Sequence, residues 1–106
     1  MNECGDDVDF TVDGNPFYFE KESVYLLEQR IVMNDAFIAN GVIQVYINGH
    51  LVVDEQNLML SESGDYSVNH LLLDFWHGGN DSSYAPNVDS VAWFDDFAIT
   101  TAPLSF

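Results

Sequence analysis

One dipeptide, Asn48-Gly49, constrains the fold of this chain more than any other feature. It separates two short apolar runs, residues 42–47 and 51–53. A two-residue turn of type I′ needs positive φ at both central positions, which Asn followed by Gly adopts readily. Residues 42–54 therefore predict an antiparallel β-hairpin.

The rest of the chain repeats this pattern of short runs separated by Gly, Asn, Asp and Ser. No apolar stripe of period 3.6 persists for ten residues, so the sequence favours strands over helices. Further strands are predicted at residues 25–33, 70–76 and 90–100, with a short one at residues 9–12. The predicted fold class is all-β.

Strand alternation assigns the side chains of residues 25–33 to two faces. One face carries Tyr25, Leu27, Gln29, Ile31 and Met33, and the other carries Leu26, Glu28, Arg30 and Val32. Because both sets contain large apolar residues, both faces are expected to be at least partly covered.

The length of 106 residues allows one domain with one core. Residues 1–16 are acidic and interrupted by Gly5, Gly14 and Pro16, which predicts a loosely ordered N-terminal segment. Residues 17–106 then form the folded domain. The single cysteine, Cys4, has no partner for an internal disulfide.

Charge excludes two classes of partner. Eighteen Asp and Glu oppose two Lys and Arg, for a formal net charge of −16. Nucleic acid and anionic membranes are recognised through Lys and Arg, so neither is an expected partner. Two interpretations of the acidity, which can both be true, remain open: a solvated surface adapted to high salt or to divalent cations, or carboxylates that bind Ca²⁺, which prefers oxygen ligands.

The sequence shows neither a membrane span nor a signal peptide. No stretch reaches the length of about 18 apolar residues that a span needs, and residues 1–10 lack the basic and apolar regions of a leader. We expect a protein that stays in the cell, or an extracellular one whose leader has been removed.

Aromatic and amide side chains are better represented than catalytic motifs. Phosphate loops, paired cysteines, zinc-hydrolase motifs and nucleophile elbows are all absent from the sequence, and the three histidines are scattered. Flat apolar rings suit the C–H faces of sugars and amides suit hydroxyls. The candidates are Tyr46, Trp76, Tyr84, Trp93, Gln29, Asn34, Gln44 and Asn80. For Trp93, packing in the core is the favoured alternative.

Four blocks of sequence, in this order, carry a resemblance to a known family. They are residues 27–34 (LEQRIVMN), 40–49 (NGVIQVYING), 75–86 (FWHGGNDSSYAP) and 91–97 (VAWFDDF). Over about residues 17–100 the chain resembles the C-terminal half of the family 14 polysaccharide lyases and the related glucuronan lyases. That resemblance implies an antiparallel jelly-roll or concanavalin-like β-sandwich, here about half of the usual family domain. It also implies β-elimination on uronic-acid polymers such as alginate.

The resemblance implies a site on two neighbouring strands. Arg30 would neutralise the uronate carboxylate and Tyr46 would be the base, the two roles that β-elimination requires. The substrate-binding residues would be Gln44, Glu28, His70, Trp76 and Tyr84. The chain departs from the family pattern where Glu28 replaces a hydroxyl residue and Gln44 replaces a tyrosine. The family's lysine has no equivalent, because Lys21 lies in a turn-like stretch.

Asp95 and Asp96 are candidate ligands for a structural Ca²⁺, since many carbohydrate-binding jelly rolls hold one near their last strand. Alternation sends the two side chains to opposite faces and places Asp95 with Val91, Trp93 and Phe97 on the buried one. A buried carboxylate needs a metal or a set of N–H donors. No other cofactor is expected.

Three functions follow from these observations. The first is a polysaccharide-binding or catalytically weakened lyase-like domain, with Arg30, Tyr46, Gln44 and His70 lining a concave face. The second is an active lyase for alginate or glucuronan, and the third is a structural or assembly subunit. A half-sized sheet would expose its edges, so we also expect a homo-oligomer or a partner chain that completes the sheets.

Overall fold

Antiparallel β-structure dominates the computed structural model, which describes residues 8–73, 82–85, 89 and 91–102. The chain divides into two units, Met1–Asn69 and His70–Phe106. In the first unit the strands are β1 (Thr11–Val12), β2 (Asn15–Pro16), β3 (Leu27–Val32), β4 (Gly41–Ile47) and β5 (His50–Leu58). The only helix among the described residues is a single 3₁₀ turn, Ser82–Tyr84. The prediction of an all-β chain is confirmed.

Two antiparallel sheets make up the first unit. One pairs β1 with β2, and the other has the strand order β3-β4-β5. The larger sheet buries Val45, Ile47, Val52 and Val53, and partly buried apolar residues pack against them. These residues are Phe10, Val12, Phe17 and Tyr25. An N-terminal layer therefore covers part of the three-stranded sheet, which is the arrangement of a β-sandwich.

The predicted hairpin forms with the predicted turn. Asn48 and Gly49 have φ of 51° and 79°, and they connect β4 to β5. The Asn48 Oδ1 atom also accepts a 2.9 Å hydrogen bond from the backbone N–H of Leu26. Both turn residues thus have the positive φ that the turn requires, and the Asn48 side chain also fixes the start of β3.

Gly41, at the other end of β4, is needed for close packing of three strands. A Cβ atom at this position would lie 2.8 Å from the Leu58 carbonyl oxygen and 3.2 Å from that of Val32. Contacts this short with backbone atoms require the strands to move apart. Glycine therefore allows β3 and β5 to approach the first residue of β4 together.

Asn34 joins the end of β3 to the segment that follows β5. Its Oδ1 accepts hydrogen bonds of 2.8 and 2.9 Å from the N–H groups of Leu60 and Ser61, and its Nδ2 donates to the Ser61 carbonyl at 2.8 Å. The side chain is buried. The sequence-based idea that Asn34 binds sugar hydroxyls is wrong, because these backbone bonds occupy the amide.

Replacing Asn34 with alanine is expected to destabilise the first unit by about 1 to 3 kcal/mol, because two backbone N–H groups lose their acceptor. Urea unfolding measures the change. The control is Asn15→Ala, which removes an exposed amide from the N-terminal hairpin. Equal stability of the two variants would contradict the structural role of Asn34.

β3 is only partly covered. The observed strand, Leu27–Val32, lies within the predicted residues 25–33. Its apolar residues Leu27 and Ile31 are exposed. Each face is partly covered, as expected: Tyr25 and Met33 are partly buried on one face, and Val32 is partly buried on the other. The cover is partial because the N-terminal layer packs against the buried cluster on β4 and β5, and β3 lies at the edge of the sheet.

Neither predicted C-terminal strand is present in the described residues. Residues 70–73 and 91–100 have no strand assignment, so the predictions for 70–76 and 90–100 are wrong over those positions. Trp93, predicted to pack in the core, is 92% exposed. A strand is stabilised by pairing with neighbouring strands, and apolar composition alone does not supply a neighbouring strand.

Candidate functional site

One face of the three-stranded sheet carries a continuous row of polar side chains. Register aligns Glu28 with Tyr46 and Arg30 with Gln44 across β3 and β4, and Gln44 with Asp54 across β4 and β5. Opposed residues share a face of the sheet. We call this surface the polar face, and its residues are Glu28, Arg30, Gln44, Tyr46, Asp54 and Gln56.

Gln44 lies at the centre of the polar face and contacts three of its neighbours. Its Oε1 accepts a hydrogen bond from Arg30 Nη1 at 3.1 Å and another from the Tyr46 hydroxyl at 3.3 Å. Its Nε2 donates to Asp54 Oδ1 at 3.0 Å. A single amide therefore links all three strands.

Asp54 receives a second amide at the same oxygen. Gln56 Nε2 donates to Asp54 Oδ1 at 2.5 Å. The hydrogen bonds from Gln44 and then Gln56 lower the pKa of Asp54, and slight desolvation opposes them. The carboxylate is thus ionised at neutral pH, with Oδ2 available for another donor.

The polar face is open to ligands. Arg30, Asp54 and Gln56 are exposed, and Gln44 and Tyr46 are partly buried. A guanidinium carries five N–H donors, so Arg30 keeps donors beyond the one directed at Gln44. The face can donate to hydroxyl or carboxylate oxygens, accept from hydroxyls, and offer the Tyr46 ring as an apolar surface.

The structure brings together four residues that the sequence placed in the site. Arg30, Gln44 and Tyr46 are joined by hydrogen bonds, and Glu28 is opposite Tyr46 on the same face. Their shared side follows from strand parity. Their roles towards a glycan stay predictions.

The remaining predicted substrate-binding residues belong to the second unit. His70 is exposed there, and Tyr84 ends the 3₁₀ turn. Trp76 lies outside the described residues, as does most of the loop 77–89. Their roles in binding also stay predictions.

The two candidate metal ligands of the second unit are both exposed. Asp95 Oδ1 accepts a 2.8 Å hydrogen bond from the backbone N–H of Asp96, whose φ is 56°. The expected burial of Asp95 is therefore wrong, because the alternating strand that would bury it is absent. Among the residues that the structure describes, no group of three or more His, Cys, Asp or Glu side chains could hold a metal. Ca²⁺ at Asp95 and Asp96 stays a prediction.

Sequence reasoning missed Asp54 and Gln56. A regular hairpin closed at Asn48-Gly49 would place Val53 opposite Gln44, whereas the observed partner of Gln44 is Asp54. The register shifts between Val45 and Tyr46, where β5 contains an extra residue. The one signal of this bulge in the sequence is the adjacent apolar pair Val52 and Val53. Both are buried, which regular alternation does not allow.

The described part of the chain contains no helix long and apolar enough to cross a membrane.

Comparison with known proteins gives one family. The sequence model of the family described as Polysaccharide lyase 14 matches residues 1–97, which include every residue of the polar face. No curated protein and no solved structure shows a significant match to the chain. The family match spans most of the 106 residues. The chain therefore belongs to the polysaccharide lyase 14 family.

Proposed function

We propose that this domain binds a polysaccharide on its polar face and has weak or no lyase activity. The observation that carries the proposal is the row of hydrogen-bonded side chains that crosses three strands through Gln44. Membership of a polysaccharide lyase family supports a carbohydrate ligand. The row extends across the strands, so it offers contacts to successive parts of an extended chain.

The chemistry of the polar face suits sugar recognition. Gln56 and Arg30 are exposed donors at opposite ends of the row, and the ionised Asp54 is an acceptor between them. Sugar hydroxyls both donate and accept, so mixed groups of this kind bind them well. The partly buried Tyr46 ring adds apolar surface for the C–H face of a sugar.

Binding is favoured over elimination by the state of Tyr46. Its hydroxyl donates to the Gln44 amide oxygen, an acceptor too weakly basic to remove the proton. The hydroxyl hydrogen is thus directed at an amide oxygen, whereas a tyrosine that acts as the base in β-elimination needs a partner able to take that proton. In addition, the chain's only lysine, Lys21, is in a turn outside the polar face.

Charge narrows the class of glycan. The polar face sets one cation, Arg30, against two carboxylates, Glu28 and Asp54, within a chain of net charge −16. Such a surface repels a dense polyuronate at low ionic strength. We therefore favour a neutral glycan, or one with isolated carboxylates, and expect polyuronate binding to improve as salt screens the repulsion.

An active lyase is the second candidate, because Arg30 and Tyr46 lie on one face and contact the same amide oxygen. In that case a substrate carboxylate at Arg30 would draw Arg30 away from Gln44, and a rearranged Tyr46 would act as the base.

The test mixes the protein with alginate, glucuronan and a neutral glucan at low and high salt. Affinity electrophoresis measures binding, and absorbance of the unsaturated product measures elimination. We expect saturable binding to at least one glycan with no rise in absorbance. A rise that persists in the control Tyr66→Phe and disappears in Tyr46→Phe would establish the lyase instead. No binding at any salt, together with a stable oligomer by light scattering, would favour an assembly subunit.

A further inference from the structure

Gln44 can form its three hydrogen bonds in only one orientation of its amide. Two donors, Arg30 Nη1 and the Tyr46 hydroxyl, face Oε1, and one acceptor, Asp54 Oδ1, faces Nε2. A reversed amide would direct its NH₂ group at the two donors and its oxygen at the carboxylate. The bonds to Arg30 and Asp54 would both be lost, and the Tyr46 hydroxyl could then only accept from the amide.

We propose that Asp54 is a positioning residue of the glycan site: it orients the Gln44 amide and, through that amide, holds Arg30 and Tyr46 in place. This inference rests on the proposed function of the polar face. Asp54 is suited to the role because an ionised carboxylate accepts hydrogen bonds and donates none. Only the NH₂ end of Gln44 can therefore face it.

The contacts around Asp54 keep it in this ionised form. Gln44 and Gln56 both donate to Oδ1, and these bonds lower the pKa of the carboxyl group. The other charged groups of the polar face are Glu28 and Arg30 on β3, and Tyr46 on β4 is its remaining titratable group. Gln56 also holds the carboxylate from its own strand, which fixes Oδ1 towards Gln44.

The proposal explains why a glutamine works at position 44. The central amide joins an anion on β5 to a cation on β3, because its oxygen accepts from Arg30 while its NH₂ group donates to Asp54. The site of this chain is thus organised by Asp54 and Gln44 as a pair.

The first experiment follows the side-chain amide resonances of Gln44 by NMR in the glycan-free protein as pH falls. In the wild type we expect them to shift as Asp54 becomes protonated. In Asp54→Leu, which removes the acceptor and keeps the branching of the side chain at Cγ, that inflection should disappear. Glu28 is present in both proteins, so its contribution cancels in the comparison. Identical titration of Gln44 in the two proteins would overturn the proposal.

The second experiment measures glycan affinity. We expect Asp54→Leu to weaken binding roughly fivefold to tenfold, as for the loss of one or two hydrogen bonds, and Asp54→Asn to recover part of it because Asn keeps an acceptor. The matched control is Glu55→Leu, which removes a carboxylate from the neighbouring position, on the opposite face of β5. Equal affinity of folded Asp54→Leu and wild type would overturn the proposal. If the NMR result holds and the wild type binds no glycan, the positioning role stands and the proposed function fails.

Discussion

Replacing Arg30 with glutamine is expected to weaken binding of a carboxylate-bearing glycan about tenfold to hundredfold. Hydrogen bonds to a charged group contribute about 1.5 to 3 kcal/mol, more than those between neutral groups. Arg30 is the only cation on the polar face, where Glu28 and Asp54 already repel an anion. Glutamine keeps a donor of shorter reach and removes the charge. Calorimetric titration with alginate or glucuronan oligosaccharides measures the loss.

Two comparisons isolate the local effect of Arg30 from net charge. Lys21→Gln makes the same charge change in an exposed turn outside the polar face, and we expect it to leave affinity nearly unchanged. A neutral glucan should respond to Arg30→Gln only a few-fold, as expected for a neutral hydrogen bond. Equal losses in Arg30→Gln and Lys21→Gln would show that net charge, and not the polar face, governs binding.

Periodicity was sufficient to predict the centre of the site. The turn at Asn48-Gly49 defines where β4 ends, and alternation then places Gln44 and Tyr46 on one side of that strand. The same alternation places Glu28 and Arg30 together on β3. Pairing of β3 with β4 brings the two sets onto one face, because neither strand contains an irregularity in this region.

The β5 side of the site could not be predicted, because a bulge changes the parity of the strand. One extra residue between the partners of Val45 and Tyr46 moves Asp54 from the core side to the polar face. It also allows adjacent residues, Val52 and Val53, both to be buried. Bulges re-aim side chains in this way, and alternation of the sequence does not reveal them unless the burial of both valines is assumed.

The C-terminal predictions failed for a different reason. Residues 91–100 are rich in β-branched and aromatic side chains, the residue types that fit a pleated, half-buried surface. That composition does not identify the neighbouring strand that completes the surface. Among the described residues Val91, Trp93 and Phe97 are all exposed. The sequence-based prediction that a partner chain completes the sheets can be tested by light scattering.

Replacing Ile47 with alanine is expected to cost about 2 to 5 kcal/mol of stability, the range for truncation of a buried isoleucine. Ile47 is 1% exposed and is the most completely buried large side chain of the described residues. The other fully buried members of the cluster in the described residues are three valines, whose β-branched side chains have few rotamers with which to fill the cavity. Since small domains have a total stability of about 5 to 15 kcal/mol, the loss would be a large share of it.

Urea unfolding measures the effect of Ile47→Ala, and Ile38→Ala is the matched control because Ile38 is exposed in the loop between β3 and β4. We expect the control to lose less than about 1 kcal/mol, as exposed substitutions usually do. Truncation of Ile47 should also disturb the position of Tyr46 on the polar face. The two residues are consecutive in β4, and their side chains lie on opposite sides of the strand. Similar unfolding midpoints for the two variants would show that the cluster around Ile47 does not hold the two sheets together.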